Sequence, residues 1–251
     1  MKLDITLLFT VAATVVCIRL EAQGPPGGPP GQQAPRTAKA AAFYDITGEW
    51  VAVVTEDWRY RMITPKKGDF GGISLNAEGR KLANAWDPGT DETAGEQCKA
   101  YGAPSLMRMP GRLRISWQDD QTLKIESDSG EQVRLLHFDS SEAPGTAWQG
   151  VSKASWERVP VGFGVPPLGS LKVVTTRMKP GYLRRNGVPY SAGTTLTEYL
   201  DRVDEPGGTS YLLVSMTVED PAYLAQPFLT SAHYRKAADS SGWKPTPCTA
   251  K

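Results

Sequence analysis

The sequence predicts an all-β fold, a single antiparallel β-barrel of about nine or ten strands with one short helix. Three observations predict it. Apolar and polar residues alternate with period two through most of the chain from Gly48 onward, short runs of turn-forming residues separate the alternating segments, and one stretch alone shows helical spacing. Consecutive antiparallel strands close most economically into an up-and-down barrel, because closure leaves no unpaired edge. A two-sheet β-sandwich is the alternative.

The N-terminus sets the compartment. Lys2 precedes the uncharged apolar run Ile5 to Ile18, Arg19 and Glu21 follow, and Leu20-Glu21-Ala22 offers a peptidase site. Residues 1–22 therefore read as a secretory signal peptide. A transmembrane anchor needs about 20 continuous apolar residues, so no anchor is expected after cleavage. Cys17 follows Val16 rather than a small residue, which argues against a lipid-anchored cysteine. Residues 23–43 carry the Gly24 to Gly31 run of glycine and proline and have little to bury, so they are expected to form a disordered linker. The folded domain is expected over 44–251, in a secreted or periplasmic protein.

Gly48-Glu49-Trp50 opens an apolar run to Val54, and Trp58, Tyr60 and Met62 then alternate with Arg59 and Arg61, as in a half-buried strand. Asn76 to Trp86 is the helix: Asn76 caps it, Leu82 and Trp86 share a face, and Pro88 stops it. A three-strand meander follows. Leu113, Ile115 and Trp117 alternate with polar residues, Asp119-Asp120-Gln121 turns the chain, Leu123 and Ile125 alternate, Asp128-Ser129-Gly130 turns it again, and Val133, Leu135 and His137 share the next apolar face. Further strands are expected at Ser152 to Arg158, Ser170 to Met178, Thr194 to Val203, Ser210 to Glu219 and Phe228 to Lys236, with Gly207-Gly208 turning one hairpin.

With 28 basic and 27 acidic residues the formal net charge is +1, and no Lys/Arg cluster stands out. The field that draws nucleic acid or anionic membranes is missing, so neither is expected as a partner. After export the chain keeps Cys98 and Cys248, an even number in an oxidising compartment, which predicts a disulfide pinning the C-terminal tail. These cysteines, with His137 and His233, would be the alternative as metal ligands. None lies at the short paired spacing of zinc sites, so no metal or other cofactor is expected.

Gly48-x-Trp50 at the head of the first strand resembles the opening of lipocalins, which bind small apolar ligands inside a barrel. More specific are Cys98-Lys-Ala-Tyr-Gly102-Ala-Pro104 with Met107 and Pro110, Trp148-Gln-Gly150-Val-Ser152 through Trp156-Glu157, Gly187-Val-Pro189-Tyr-Ser191, and Glu219-Asp220-Pro221-Ala-Tyr223 with Pro227. In that order they resemble a large uncharacterised family of exported bacterial proteins, and the resemblance implies a lipocalin-like (calycin-type) barrel. Two departures stand out. Arg158 to Gly169 replaces a short Gly-Asp-Thr turn of the family, and Asp139 to Thr146 replaces its Asp-Gly-Arg-x-His-Pro segment.

Catalytic signatures are missing: there is no Gly-x-Ser-x-Gly elbow, no His-Glu-x-x-His helix, no phosphate-cradling loop and no dinucleotide fingerprint. The candidates left are polar residues on apolar strand faces, where burial shifts a pKa. His137 shares a face with Val133 and Leu135. Glu198 lies between Leu196 and Leu200, either as an acid or base or as the partner of an arginine such as Arg59 or Arg61. Asp220-Pro221-x-Tyr223 reads as a structural corner.

Three functions follow. In the first-ranked one the barrel holds a small hydrophobic or amphipathic molecule, with Trp50, Trp58, Tyr60 and Trp117 supplying apolar area and His137, Glu198 or an arginine orienting its polar end. In the second, a cofactor-independent enzyme of isomerase, cyclase or hydratase type uses Glu198 or His137 in the same cavity. The third is a solid barrel serving as a structural or partner-binding envelope protein.

Overall fold

The structure, a computed structural model, describes residues 37–139, 147–160, 162–163 and 168–250. The expected signal peptide and residues 23–36 of the expected linker lie outside the described residues. No helix among the described residues is long and apolar enough to cross a membrane.

Strand β1 (Gly48–Val53) leads into a helical segment: α1 (Trp58–Arg61), α2 (Ala77–Ala85), α3 (Pro88–Thr93), a 3₁₀ turn (Gln97–Tyr101) and α4 (Ala103–Leu106). The meander β2 (Arg112–Trp117), β3 (Thr122–Ser127) and β4 (Gln132–His137) follows. Next come β5 (Val151–Val159), β6 (Leu168–Thr176), the short pair β7 (Gly181–Arg184) and β8 (Val188–Tyr190), then β9 (Thr195–Asp204), β10 (Ser210–Glu219) and β11 (Phe228–Lys236).

Nine strands form one closed barrel in the order β1-β11-β10-β9-β6-β5-β4-β3-β2, with β2 paired back to β1. An odd number of strands cannot alternate in direction all the way round a ring, so one neighbouring pair must run parallel. That pair is β4 and β5, joined at Leu136↔Ser152 and His137↔Lys153. The all-antiparallel expectation is corrected at this joint. The up-and-down order breaks again where β7 and β8 leave the barrel as their own two-stranded sheet between β6 and β9.

The inward faces follow the period-two pattern. Leu171 and Val173, Leu196 and Leu200, Leu212 to Val218 at alternate positions, and Ala232 and Tyr234 are all fully buried. Trp50 fills one flank, its Nε1 donating to the Ile46 carbonyl at 2.8 Å. The β1–β2, β6–β9 and β10–β11 connections all emerge at one end, where Ile73, Ala83, Met107, Val188, Tyr190 and Leu224 extend the same core beyond the strands. At the other end, residues assigned to the linker already belong to the domain. Trp156 Nε1 donates to the Ala38 carbonyl at 2.9 Å, and the Phe43 ring meets Trp156 edge-on at 6.0 Å.

Two helical expectations are corrected. Trp58 to Met62 is not a strand: Asp57 takes a left-handed conformation (φ 52°), its carbonyl receives the amides of Tyr60 and Arg61, and the chain coils into α1. Arg61 then turns inward while Trp58 is 58 % exposed, the reverse of the expected faces. Helix α2 matches its prediction, with the Asn76 side chain accepting from Gly79 N at 2.9 Å. Pro88, however, opens α3 behind the cap Asp87, a position where its missing N–H costs nothing. The expectation of one short helix thus becomes a helical segment of several.

The Cys98–Cys248 disulfide is present, with Cα atoms 5.1 Å apart. It fastens the C-terminal tail to the 3₁₀ turn, next to a bridge between Ser129 and Thr246.

Candidate functional site

The barrel interior holds charge, but the charge is paired. Glu198 projects inward from the middle of β9 and meets Arg134 of β4, whose Nη1 lies 3.0 Å from Oε1 while Nη2 contacts Oε2. Arg134 Nε donates to Ser152 Oγ at 3.0 Å, Nη2 also reaches Thr175 Oγ1 at 2.7 Å, and the two hydroxyls lie 2.8 Å apart. Both charged side chains are essentially inaccessible. With both oxygens engaged by the guanidinium and neither side chain accessible, Glu198 is one half of a buried ion pair.

This pair reverses the expected face of β4. Arg134 and Leu136 point inward, Val133 is 51 % exposed, and His137 lies half-buried on the outward-alternating set. The partner of Glu198 is therefore neither Arg59, which pairs with Asp69, nor Arg61, which pairs with Glu56.

The four aromatic candidates do not meet around one cavity. Trp50 is core. Trp58 and Tyr60 lie in α1, with the Tyr60 ring under the Arg184 guanidinium at 3.9 Å. Trp117 is at the opposite end, tilted on Phe138 at 5.5 Å, and lines an open depression of about 580 Å³ beside Tyr44 and Asp45.

A different group of residues comes together at the helix-covered end. A cleft of about 320 Å³ runs between α2, α3 and the 3₁₀ turn on one side and the β7–β8 hairpin on the other. Leu82 and Trp86, the predicted face of the helix, form one wall; Tyr182, Tyr190 and Tyr223, with Pro180, Pro189 and the polar pair Asp91 and Lys99, line the remainder. The Trp86 ring lies directly on Gly187. A Cβ there would stand 2.1 Å from Trp86 Cγ, and Gly187 has φ +81°, so the hairpin turn needs glycine twice over. The motifs around Cys98, Gly187 and Asp220 thus meet at this cleft. At the corner, Asp220 accepts from Ser191 N at 2.6 Å and Thr194 Oγ1 at 2.9 Å, and so has the structural role expected of it.

The polar groups of the cleft divide into two kinds. Asp91, in the first turn of α3, receives Lys99 Nζ at 2.6 Å and the Tyr182 hydroxyl at 2.8 Å, and Lys99 also reaches Glu96 at 2.5 Å. Burial pushes the Tyr182 phenol above its ordinary value, helped by its bond to Asp91. Burial also works against the Lys99 ammonium, but the bonds to Asp91 and Glu96 outweigh it and hold its pKa high. The other kind is unpartnered. Trp86 Nε1 and the Tyr190 hydroxyl are buried without a hydrogen-bond partner among the described residues, and burial raises the Tyr190 phenol as well. A buried donor left unpaired costs about 1–3 kcal/mol.

Sequence reasoning missed Arg134, Asp91, Lys99 and Tyr182. The signals were the Leu82/Trp86 stripe and the Gly187-Val-Pro189-Tyr190 motif, which together outline the cleft. No group of three or more metal-ligating side chains occurs among the described residues. Compared with family models, curated proteins and solved structures, the chain matches none.

Proposed function

We propose that this is an exported small-molecule-binding protein that holds an amphipathic, ring-bearing ligand in the cleft at the helix-covered end, rather than inside the barrel. The observation that carries this reading is the set of aromatic side chains along an open cleft, Trp86, Tyr182 and Tyr223, beside the charged pair Asp91 and Lys99. Aromatic faces favour a planar apolar body, and the polar side of the cleft at Asp91 and Lys99 favours a polar substituent upon it. The disulfide fits an oxidising compartment and so supports export.

The cleft favours binding over catalysis. Lys99 and Tyr182 are spent on Asp91, and phenols raised by burial are poor bases. Glu198, the acid candidate, is locked to Arg134.

The test is native mass spectrometry of the protein purified from the envelope fraction of its native host, alongside Trp86→Ala. A stoichiometric adduct on the natural protein that is lost in Trp86→Ala, with the circular dichroism spectrum unchanged, is the expected result. Truncating an aromatic anchor of this kind costs about tenfold in affinity or more. An adduct retained by Trp86→Ala would move the ligand away from the cleft, and bare natural protein would turn the reading towards a structural envelope role.

A further inference from the structure

We propose that Arg61, Arg108, Arg184 and Arg185 form a second binding site, separate from the aromatic cleft, for a single oxyanion group, the carboxylate or phosphate of a small ligand. The four side chains surround a cavity of about 20 Å³ on the other flank of the β7–β8 hairpin, closed by Tyr60 and Ser105. That space takes one or two water-sized atoms, enough for the two oxygens of a carboxylate or of one edge of a phosphate and too little for an organic body.

Charge is out of balance here. Arg61, Arg108 and Arg184 are all buried. Glu56 pairs with Arg61 at 2.8 Å and Asp57 with Arg108 at 3.0 Å. Arg184 has no carboxylate partner among the described residues; its Nη1 donates to the Gly71 carbonyl at 2.6 Å and its plane lies over Tyr60. Arg185 Nη2 donates to the Arg61 carbonyl at 3.1 Å. With Asp69, which pairs with Arg59 and also acts on Arg184, three carboxylates thus stand against five guanidiniums, and His233, 3.7 Å from Glu56, offers no further negative charge.

Two buried N–H groups also go unused. Arg61 Nη2 and Arg184 Nε have no hydrogen-bond partner among the described residues; both atoms are enclosed beside the cavity that their side chains line. Charged donors left unpaired in a buried site are expensive, and guanidinium forks match the two oxygens of a carboxylate or phosphate edge. Burial, then the neighbouring charge of Arg108, push Arg184 down to about 10, as expected where positive charge lacks compensation.

The site is tested by titrating ¹⁵N-arginine-labelled protein with inorganic phosphate, sulfate or acetate, against chloride at matched ionic strength, while following the arginine Nε–Hε resonances. A saturable shift of the Arg184 resonance with one equivalent of oxyanion is expected. Stronger response to phosphate and sulfate than to acetate identifies a phosphate-type group, and the reverse a carboxylate. Arg185→Gln, at the half-buried rim, should weaken binding about tenfold or more in a protein that keeps its far-ultraviolet spectrum and any ligand of the aromatic cleft. Arg184→Lys, which keeps the charge but loses the fork, should weaken it similarly. Resonances unmoved by all three oxyanions, a response equalled by chloride, or full affinity in a folded Arg185→Gln would overturn the proposal.

Discussion

Arg134 and Glu198 are 64 residues apart in sequence and 3.0 Å apart across the barrel. Removing one of them leaves its partner charged and buried, so Glu198→Leu should cost about 3–5 kcal/mol in urea unfolding. The double change Arg134→Met with Glu198→Leu should recover most of that loss, because a matched apolar pair leaves no charge stranded; a double variant as unstable as the single one would contradict the pairing. The sequence made Glu198 visible, since a carboxylate between Leu196 and Leu200 on an inward face demands a cation. It hid Arg134, because Leu135 and Leu136 are adjacent and give both faces of β4 an apolar residue. The choice between faces then rested on Val133 against Arg134, and the need of Glu198 for a partner decided it. Gly187 is the second position where one residue controls much. Gly187→Ala combines a left-handed backbone with a clash against Trp86, and should cost about 2 kcal/mol or more and shift the Trp86 fluorescence.

Among the elements, long alternating strands were legible almost to the residue, as β9 to β11 show, because burial of one face fixes their register. Short elements were not. The stretch from Trp58 to Met62 fits alternation and one helical turn equally well, and the left-handed Asp57 that chooses the turn leaves no periodic trace. The β7–β8 pair has too few residues to alternate, so the hairpin that builds one wall of the cleft was invisible to periodicity. What ties that wall to the helices is polar: Lys99 of the 3₁₀ turn and Tyr182 of β7 both bind Asp91 of α3. Because the folded state holds Lys99 above its ordinary pKa, its stabilising contribution is complete below about 10.4, the unperturbed lysine value, and disappears as pH rises through the higher folded value. Alkaline titration of stability should therefore show a steeper fall in the natural protein than in Lys99→Met, and parallel curves would show that the tie contributes nothing.

For the whole molecule, closure comes from hydrogen bonding and the disulfide serves a narrower purpose. Strand β1 pairs with both β2 and β11, so the ring is complete without any covalent bond. The Cys98–Cys248 bond instead spans a sequence separation of 150 residues and fastens the tail, which is otherwise held by Thr246 against Asp128 and Gly130 and by the Trp243 ring 4.2 Å from the Arg114 guanidinium. Constraining a loop of that length in the unfolded chain stabilises the native state by about 5 kcal/mol in the chain-entropy model, an upper figure. Cys248→Ser should therefore lower the urea midpoint by several kcal/mol equivalent while the far-ultraviolet spectrum stays that of a barrel. Hydrogen exchange should accelerate first in residues 239–250 and at Gly130, whose amide donates to the Thr246 carbonyl at 2.8 Å. Cys98 adjoins Lys99, so freeing the tail also loosens the floor of the cleft, and ligand affinity should fall in the same variant. A Cys248→Ser protein that loses its strands altogether would show that the bond holds the ring as well as the tail.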